Sequence, residues 1–241
     1  MKLFCSIFLL IIIMSADLFA GDFANLNFIG FSKDGKFLAF EEYGTTDGAG
    51  FPYSNIYFIN VESNSYAAAP VNIRIEKESA TEAQARSKAK FAAAKNLQSF
   101  KITAGNTGTH AVSHLLNDLS FYQESPGAID TAHFAGIVAS ANYRKGDYEL
   151  SLKPILTETK DCKVFERETY KMELTLRDNE NKTTRVLQKD ADLPKTRGCA
   201  TDYAIQEVYL YENHIAAFLN VFSPGFEGDD MRFMVVSGKL N

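Results

Sequence analysis

The chain has 241 residues, of which 46% are hydrophobic, 23% charged and 12% aromatic. That composition sits in the globular range and argues against collagen, a coiled coil or a disordered tail. The net charge is −5, so there is no basic field to hold a phosphate backbone by counterion release, and nucleic acid is not an expected partner.

The first predicted element is an export signal. Met1-Lys2 precedes an apolar run from Leu3 to Met14 broken only by Ser6, and Ser15-Ala16-Asp17-Leu18-Phe19-Ala20-Gly21 follows. A positive start, about a dozen apolar residues and a small exit residue describe a signal peptide, whereas a membrane-spanning helix needs ~20 apolar residues. Residues 1–20 are therefore expected to be removed by cleavage after Ala20. The bulky Leu18, three positions before the cut, leaves a retained N-terminal anchor as the alternative. The mature chain, 21–241, is expected to form one exported domain, periplasmic or secreted, with no membrane span.

After the tight-turn dipeptide Asp34-Gly35, the run Phe37 to Tyr43 is rich in strand formers. A polar, glycine-rich loop covers 44–54, and Ile56-Tyr57-Phe58-Ile59-Asn60-Val61 returns as the second strand of a hairpin. Ser79-Ala80-Thr81-Glu82 fits a capping box and opens a helix that continues to Leu97. Glu76, Glu78 and Glu82 stand near its start and Lys88, Lys90 and Lys95 toward its end, the order the helix dipole favours. Ala85, Ala89, Ala92 and Ala93, with Phe91 and Leu97, offer a small-residue face to lie against a sheet. Residues 98–141 show no clear period and are expected to hold short strands and loops. From Gly146 onward, strand follows strand: Tyr148 to Leu156, Tyr170 to Leu176, Thr184 to Leu187, Ala204 to Tyr211, Ile215 to Phe222 and Met231 to Val236. Short connections predict antiparallel pairing. The fold class expected is mainly β, antiparallel sheets in a propeller-like or sandwich arrangement, with one substantial α-helix.

Loss of Cys5 with the signal leaves Cys162 and Cys199, and an oxidising compartment makes a disulfide between them the default. A redox or metal-binding thiol pair is the alternative, but such pairs favour C-x-x-C or four close ligands.

The ends of the mature chain resemble each other. Phe37-Leu38-Ala39-Phe40, Gly50-Phe51 and Ile56 to Val61 match Ile215-Ala216-Ala217-Phe218, Gly225-Phe226 and Met231 to Val236 in spacing and type. These are two hairpin-like copies, 28–61 and 206–238, whose pairing or stacking would join the two ends.

Phe31-Ser32-Lys33-Asp34-Gly35-Lys36-Phe37-Leu38-Ala39-Phe40 with Asn55 to Val61 resembles the blade repeat of periplasmic β-propellers. Phe40-Glu41-Glu42-Tyr43-Gly44, Asp47 to Ser54, Arg197-Gly198-Cys199 and Phe222 to Phe233 together resemble a bacterial family of predicted secreted proteins of unknown function. That resemblance spans nearly the whole mature chain. It implies export and a structural role for Cys162 and Cys199, and it carries over no activity.

Glu41, Glu42 and Asp47 in one copy and Glu227, Asp229 and Asp230 in the other are six carboxylates that would converge if the copies are neighbours. Calcium takes six to eight oxygens from such loops, so a calcium site is the cofactor candidate, against acids that cap turns and pair with lysines. The same acids would serve a hydrolase using paired carboxylates. His110 and His114 have the i, i+4 spacing of a zinc pair on a helix, but lie far apart on a strand. His133 and His214 read as surface or satisfied core residues. Tyr43, Asp47, Phe51, Tyr53, Phe226 and Glu227 are candidates for a recognition surface, although Gly-Phe in both copies also reads as a plug folding each loop onto its hairpin. No nucleophile elbow, phosphate loop or dinucleotide fingerprint occurs, so an enzyme is not supported. The functional expectation is a non-enzymatic envelope protein that binds a protein or glycan through loops 44–54 and 223–230. The alternative is an envelope hydrolase acting on glycan or peptide.

Overall fold

The computed structural model describes residues 21–77, 79–114, 126–138, 144–226 and 228–240. The predicted signal peptide, Glu78 and Glu227 lie outside the described residues.

The chain begins with a meander, β1 (Asn25–Phe31), β2 (Phe37–Thr45), β3 (Pro52–Asn60) and β4 (Ser65–Arg74), which forms sheet I. The Asp34-Gly35 turn works as its sequence predicts. Ser32 N–H bonds the Phe37 carbonyl at 2.8 Å, the Ser32 hydroxyl donates to Asp34 at 2.7 Å, and Gly35 takes φ +69°, a left-handed conformation that glycine adopts without strain. Pairing of β2 with β3 runs unbroken from Phe37↔Asn60 to Thr45↔Pro52. The expected loop 44–54 therefore shrinks to residues 46–51, because Gly44 and Tyr53 still belong to the ladder.

Helix α1 (Glu82–Ser99) lies on the outer face of sheet I. Its cap is Thr81, whose side chain accepts from Gln84 N–H while Gln84 returns a bond to Thr81 N–H. The predicted box starting at Ser79 is thus shifted by two residues; Thr81-x-x-Gln84 meets the same pattern, and Glu82 is taken by the Thr45 hydroxyl. Ala85, Ala89 and Ala93, one turn apart, are buried, the last two against Ala39, Ile56 and Phe58. Ala92 and Phe91 are exposed, since they point about 100° and 200° away from Ala93 around the helix.

The ambiguous stretch yields β5 (Thr109–Ser113) and β6 (Asp130–Val138). Then come β7 (Arg144–Thr157), β8 (Thr169–Asp178), β9 (Thr183–Lys189), β10 (Asp202–Tyr211), β11 (His214–Pro224) and β12 (Asp229–Lys239). Strands β12-β11-β10-β5 form sheet II and β6-β7-β8-β9 form sheet III, both antiparallel.

Sheet II is the middle layer. Every residue of β11 from His214 to Phe222 is buried. Alternation sends Ile215, Ala217, Leu219 and Val221 toward sheet III and Ala216, Phe218 and Phe222 toward sheet I. The molecule is a stack of helix, sheet I, sheet II and sheet III. The two repeat-bearing hairpins meet in this stack, with Phe40 and its counterpart Phe218 in edge contact at 5.3 Å. Among the described residues the arrangement is a layered sandwich of three sheets, short of the four blades a propeller ring takes. Cys162 and Cys199 form a disulfide, tying the 3-10 turn Lys160–Phe165 to the segment before β10. Among the described residues no helix is long and apolar enough to cross a membrane.

Candidate functional site

Glu227 lies outside the described residues, and the structure does not gather the other five carboxylates into one site. Glu41 and Glu42 are adjacent on a strand and so point to opposite faces. Glu41, fully buried, faces α1 and accepts from Asn27 at 2.7 Å, Ser54 at 3.0 Å and two Arg86 nitrogens at 2.9 Å. Burial works to raise its pKa, but Arg86, Asn27 and Ser54 outweigh it and hold the carboxyl below the ordinary value. Asp47 is exposed and accepts from the N–H of Gly48. Asp229 is held by a two-bond pair with Arg167, and Asp230 accepts from Asp22 N–H at 3.0 Å. Among the described residues no group of three or more His, Cys, Asp or Glu side chains gathers to hold a metal. The expected calcium site finds no ligand set there, because strand alternation and separate ion pairs divide its candidates.

The histidines divide likewise. His110 lies on strand β5, stacked on Tyr209 at 4.4 Å, and His114 bonds the Ile205 carbonyl, so they share no helical face. His133 is an exposed partner of Glu149. His214 is buried, and neither ring nitrogen has a hydrogen-bond partner among the described residues. It is therefore not the satisfied core histidine expected.

The recognition candidates also split. Tyr43 lies under the Arg86 guanidinium at 3.7 Å, and Phe51 is half-buried beneath Arg74 in a loop closed by Thr46–Phe51 bonds. Tyr53 is buried, its hydroxyl donating to Asp22. Phe226 is 90% exposed. The plug reading thus suits Phe51 and not Phe226, because the Gly225 N–H to Gly228 carbonyl bond closes the tip and leaves that ring outside.

What the sequence did not single out is the outer edge of β12. Asp22 to Ala24 lie parallel to it, bonded through Met231 N–H to the Asp22 carbonyl and Ala24 N–H to the Met231 carbonyl, each at 3.1 Å. Farther along, Phe233 N–H donates to Glu42 at 2.8 Å and Ser237 N–H to Asn64 at 2.9 Å. Arg232 reaches back to the Asp22 carboxylate and carbonyl, both at 2.6 Å. Burial pushes the Glu42 carboxyl up, against the downward pull of Phe233 N–H and Arg232.

Above this edge opens a cleft of about 620 Å³ between the inner face of sheet I and the 194–198 segment. On one wall, Phe40, Tyr57 and Tyr66 stack in sequence at 4.8 and 6.2 Å, with planes 20° and 26° apart. The last ring stands at the mouth, Tyr66 being 58% exposed. On the other wall, Arg197 makes bonds of 2.5 and 2.9 Å to Asp190, which also accepts from Met172 N–H and Gln188. Gln188 in turn accepts from Asn64 at 2.8 Å, linking the two walls. Cys199 of the disulfide follows Arg197 by two residues. Of the predicted loops, only Ser223 reaches the cleft lining, with Asn55 just past the first loop.

No curated protein matches the chain. Every residue lining the cleft, and both Cys162 and Cys199, falls within residues 39–239, which match the family model described as a predicted secreted protein, DUF2259; the chain belongs to that family.

Proposed function

We propose that this protein, exported by its N-terminal signal, is a binding module that holds its ligand in the cleft above β12 without turning it over. The observation that supports this is the state of the polar groups in the cleft. Arg197 is committed to Asp190, Arg232 to Asp22, and Glu42 to Phe233 N–H and Asn55. Such groups position a ligand well and are poorly placed to move protons. A cleft of this size lies within the roughly 300–1,000 Å³ of small-molecule sites. Loops 46–51 and 225–228 flank the fold, and only the base of the second contributes to the seat.

A thermal-shift screen of the purified protein against oligosaccharides, short peptides and nucleotides tests this. Thr196 is exposed on the rim, so Thr196→Trp fills the mouth without disturbing the core. One ligand class should raise the melting temperature by several degrees, and Thr196→Trp should abolish the rise. Absence of any shift, or a shift unchanged in Thr196→Trp, refutes the proposal.

One observation favours the hydrolase reading: a buried carboxyl with a raised pKa, Glu42, borders the cleft, as a general acid would. Glu42→Gln separates the two. A binder keeps its affinity within a few-fold, whereas a hydrolase loses turnover by about 10²-fold or more.

A further inference from the structure

Resting on the binding reading above, we infer that the ligand of the cleft is a neutral saccharide chain, with one ring stacked on Tyr66. The charge in the cleft argues for it. Both guanidiniums are offset by buried carboxylates, Arg197 by Asp190 and Arg232 by Asp22, and the remaining acid, Glu42, is buried and bonded to Phe233 N–H and Asn55, so the walls present no free positive charge. A phosphate or an acidic peptide would meet no net attraction, and the chain as a whole is acidic at −5.

What the walls do present is two kinds of surface side by side. The Phe40–Tyr57–Tyr66 stack ends in an outward ring face, rigidly backed by the two rings beneath it. Opposite and below stand planar polar groups already fixed by their own bonds: Asn64 with Gln188, Asn55 with Glu42, and Arg197 with Asp190. A guanidinium has five N–H donors, and the bonds to Asp190 and Tyr203 do not exhaust those of Arg197. A pyranose ring has the matching pair of surfaces, an apolar C–H face that lies flat on an aromatic ring and a rim of hydroxyls that both donate and accept. A purely apolar ligand would leave the amides and guanidinium unpaired at a cost, and an anionic one would find no free counter-charge. Desolvation in the cleft, with the Glu42 carboxylate, also raises the pKa of Tyr66 and Tyr57, keeping both phenols neutral donors.

The test is isothermal titration calorimetry of the full exported protein against cellotetraose, maltotetraose and tetra-N-acetylchitotetraose, with tetra-alanine, ATP and inorganic phosphate as comparators. At least one tetrasaccharide should bind, with affinity unchanged by added salt. Tyr66→Ala should weaken it about tenfold, the upper end of what ring stacking contributes, while Tyr66→Phe, which keeps the platform, stays within about threefold. Because Tyr66 is more than half exposed, the melting temperature of either variant should match the parent, which separates lost binding from lost fold. If the peptide or a phosphate compound binds and no saccharide does, the saccharide assignment fails while the binding cleft stands. A saccharide that binds Tyr66→Ala as tightly as the parent also overturns the assignment. If nothing in the panel binds, both fall.

Discussion

Replacing Arg197 by Met should cost on the order of 3 to 5 kcal/mol, because it strips the counter-charge from a carboxylate that cannot reach water. Asp190 is 1% exposed at its side chain and Arg197 10%. The carboxylate accepts four bonds, from Met172 N–H at 2.9 Å, Gln188 at 2.8 Å and two Arg197 nitrogens at 2.5 and 2.9 Å. The substitution removes two of the four together with the charge, while Met fills most of the vacated volume, so a cavity contributes little. In a domain of this size about 2–4 °C accompany each kcal/mol, giving a fall in melting temperature on the order of 10 °C. Burial tends to raise the Asp190 pKa, but Arg197, Met172 N–H and Gln188 overcome it and hold the carboxyl below its ordinary value. A depressed carboxyl stabilises above the unfolded value of ~3.9 and loses that contribution as pH falls through the folded one. Without Arg197 burial acts unopposed, so the gap between parent and variant should narrow in acid. Asp190→Asn combined with Arg197→Met, leaving no charge behind, should recover all but about 1 kcal/mol. Urea melts followed by circular dichroism, on protein checked by mass to retain its disulfide, measure these differences. A single variant costing under about 1 kcal/mol, or a double variant no better than the single, would refute the claim that a paired buried charge holds this wall.

Glu42→Gln should show the opposite pH dependence. In the parent, ionising a carboxyl whose pKa burial has raised is destabilising; that cost is present above the raised folded value and disappears as pH falls toward ~4.3. The stability of the variant relative to the parent should therefore be most favourable near neutral pH and decline toward pH 4, and urea melts showing a flat or reversed difference count against this. Replacing Cys162 and Cys199 by Ser opens a crosslink of sequence separation 37, and the chain-entropy relation gives a loss of about 4 kcal/mol. Reductant should lower the parent's melting temperature toward that of the double variant and leave the variant unmoved. Gly35→Ala should destabilise by about 2 kcal/mol or more in the same melts. It places a Cβ at a φ of +69°, 2.5 Å from His214 Nδ1.

How far the sequence could be read depended on whether a feature was local. The Asp34-Gly35 turn, the apolar run of β11 and the helix after residue 80 each declare themselves within a few residues, and each lies where expected within a residue or two. The two exported cysteines needed only to be counted. β4 did not declare itself, because Ala67-Ala68-Ala69-Pro70 is poor in strand formers; it forms at the edge of sheet I, where the missing proline N–H costs no ladder bond. With β4 unseen, Tyr66 had no place beside Tyr57, and the ring stack was invisible. Asp22 and Arg232 are 210 positions apart, and no spacing rule links residues joined only when one sheet covers another. The repeat came nearer to doing so, since Phe40 and Phe218 hold equivalent places and touch. A strand over 37–43 already places Glu41 and Glu42 on opposite faces, so they could never share one cation. Alternation instead gives the two carboxylates separate roles. Glu41 binds the helix to sheet I through Arg86, and Glu42 caps the N–H of Phe233 on the outer edge of β12. An uncapped edge strand at that position would be open to pairing with another chain. Glu41 and Glu42 thus serve to close the sheets, and the edge that Glu42 covers becomes the floor of the cleft.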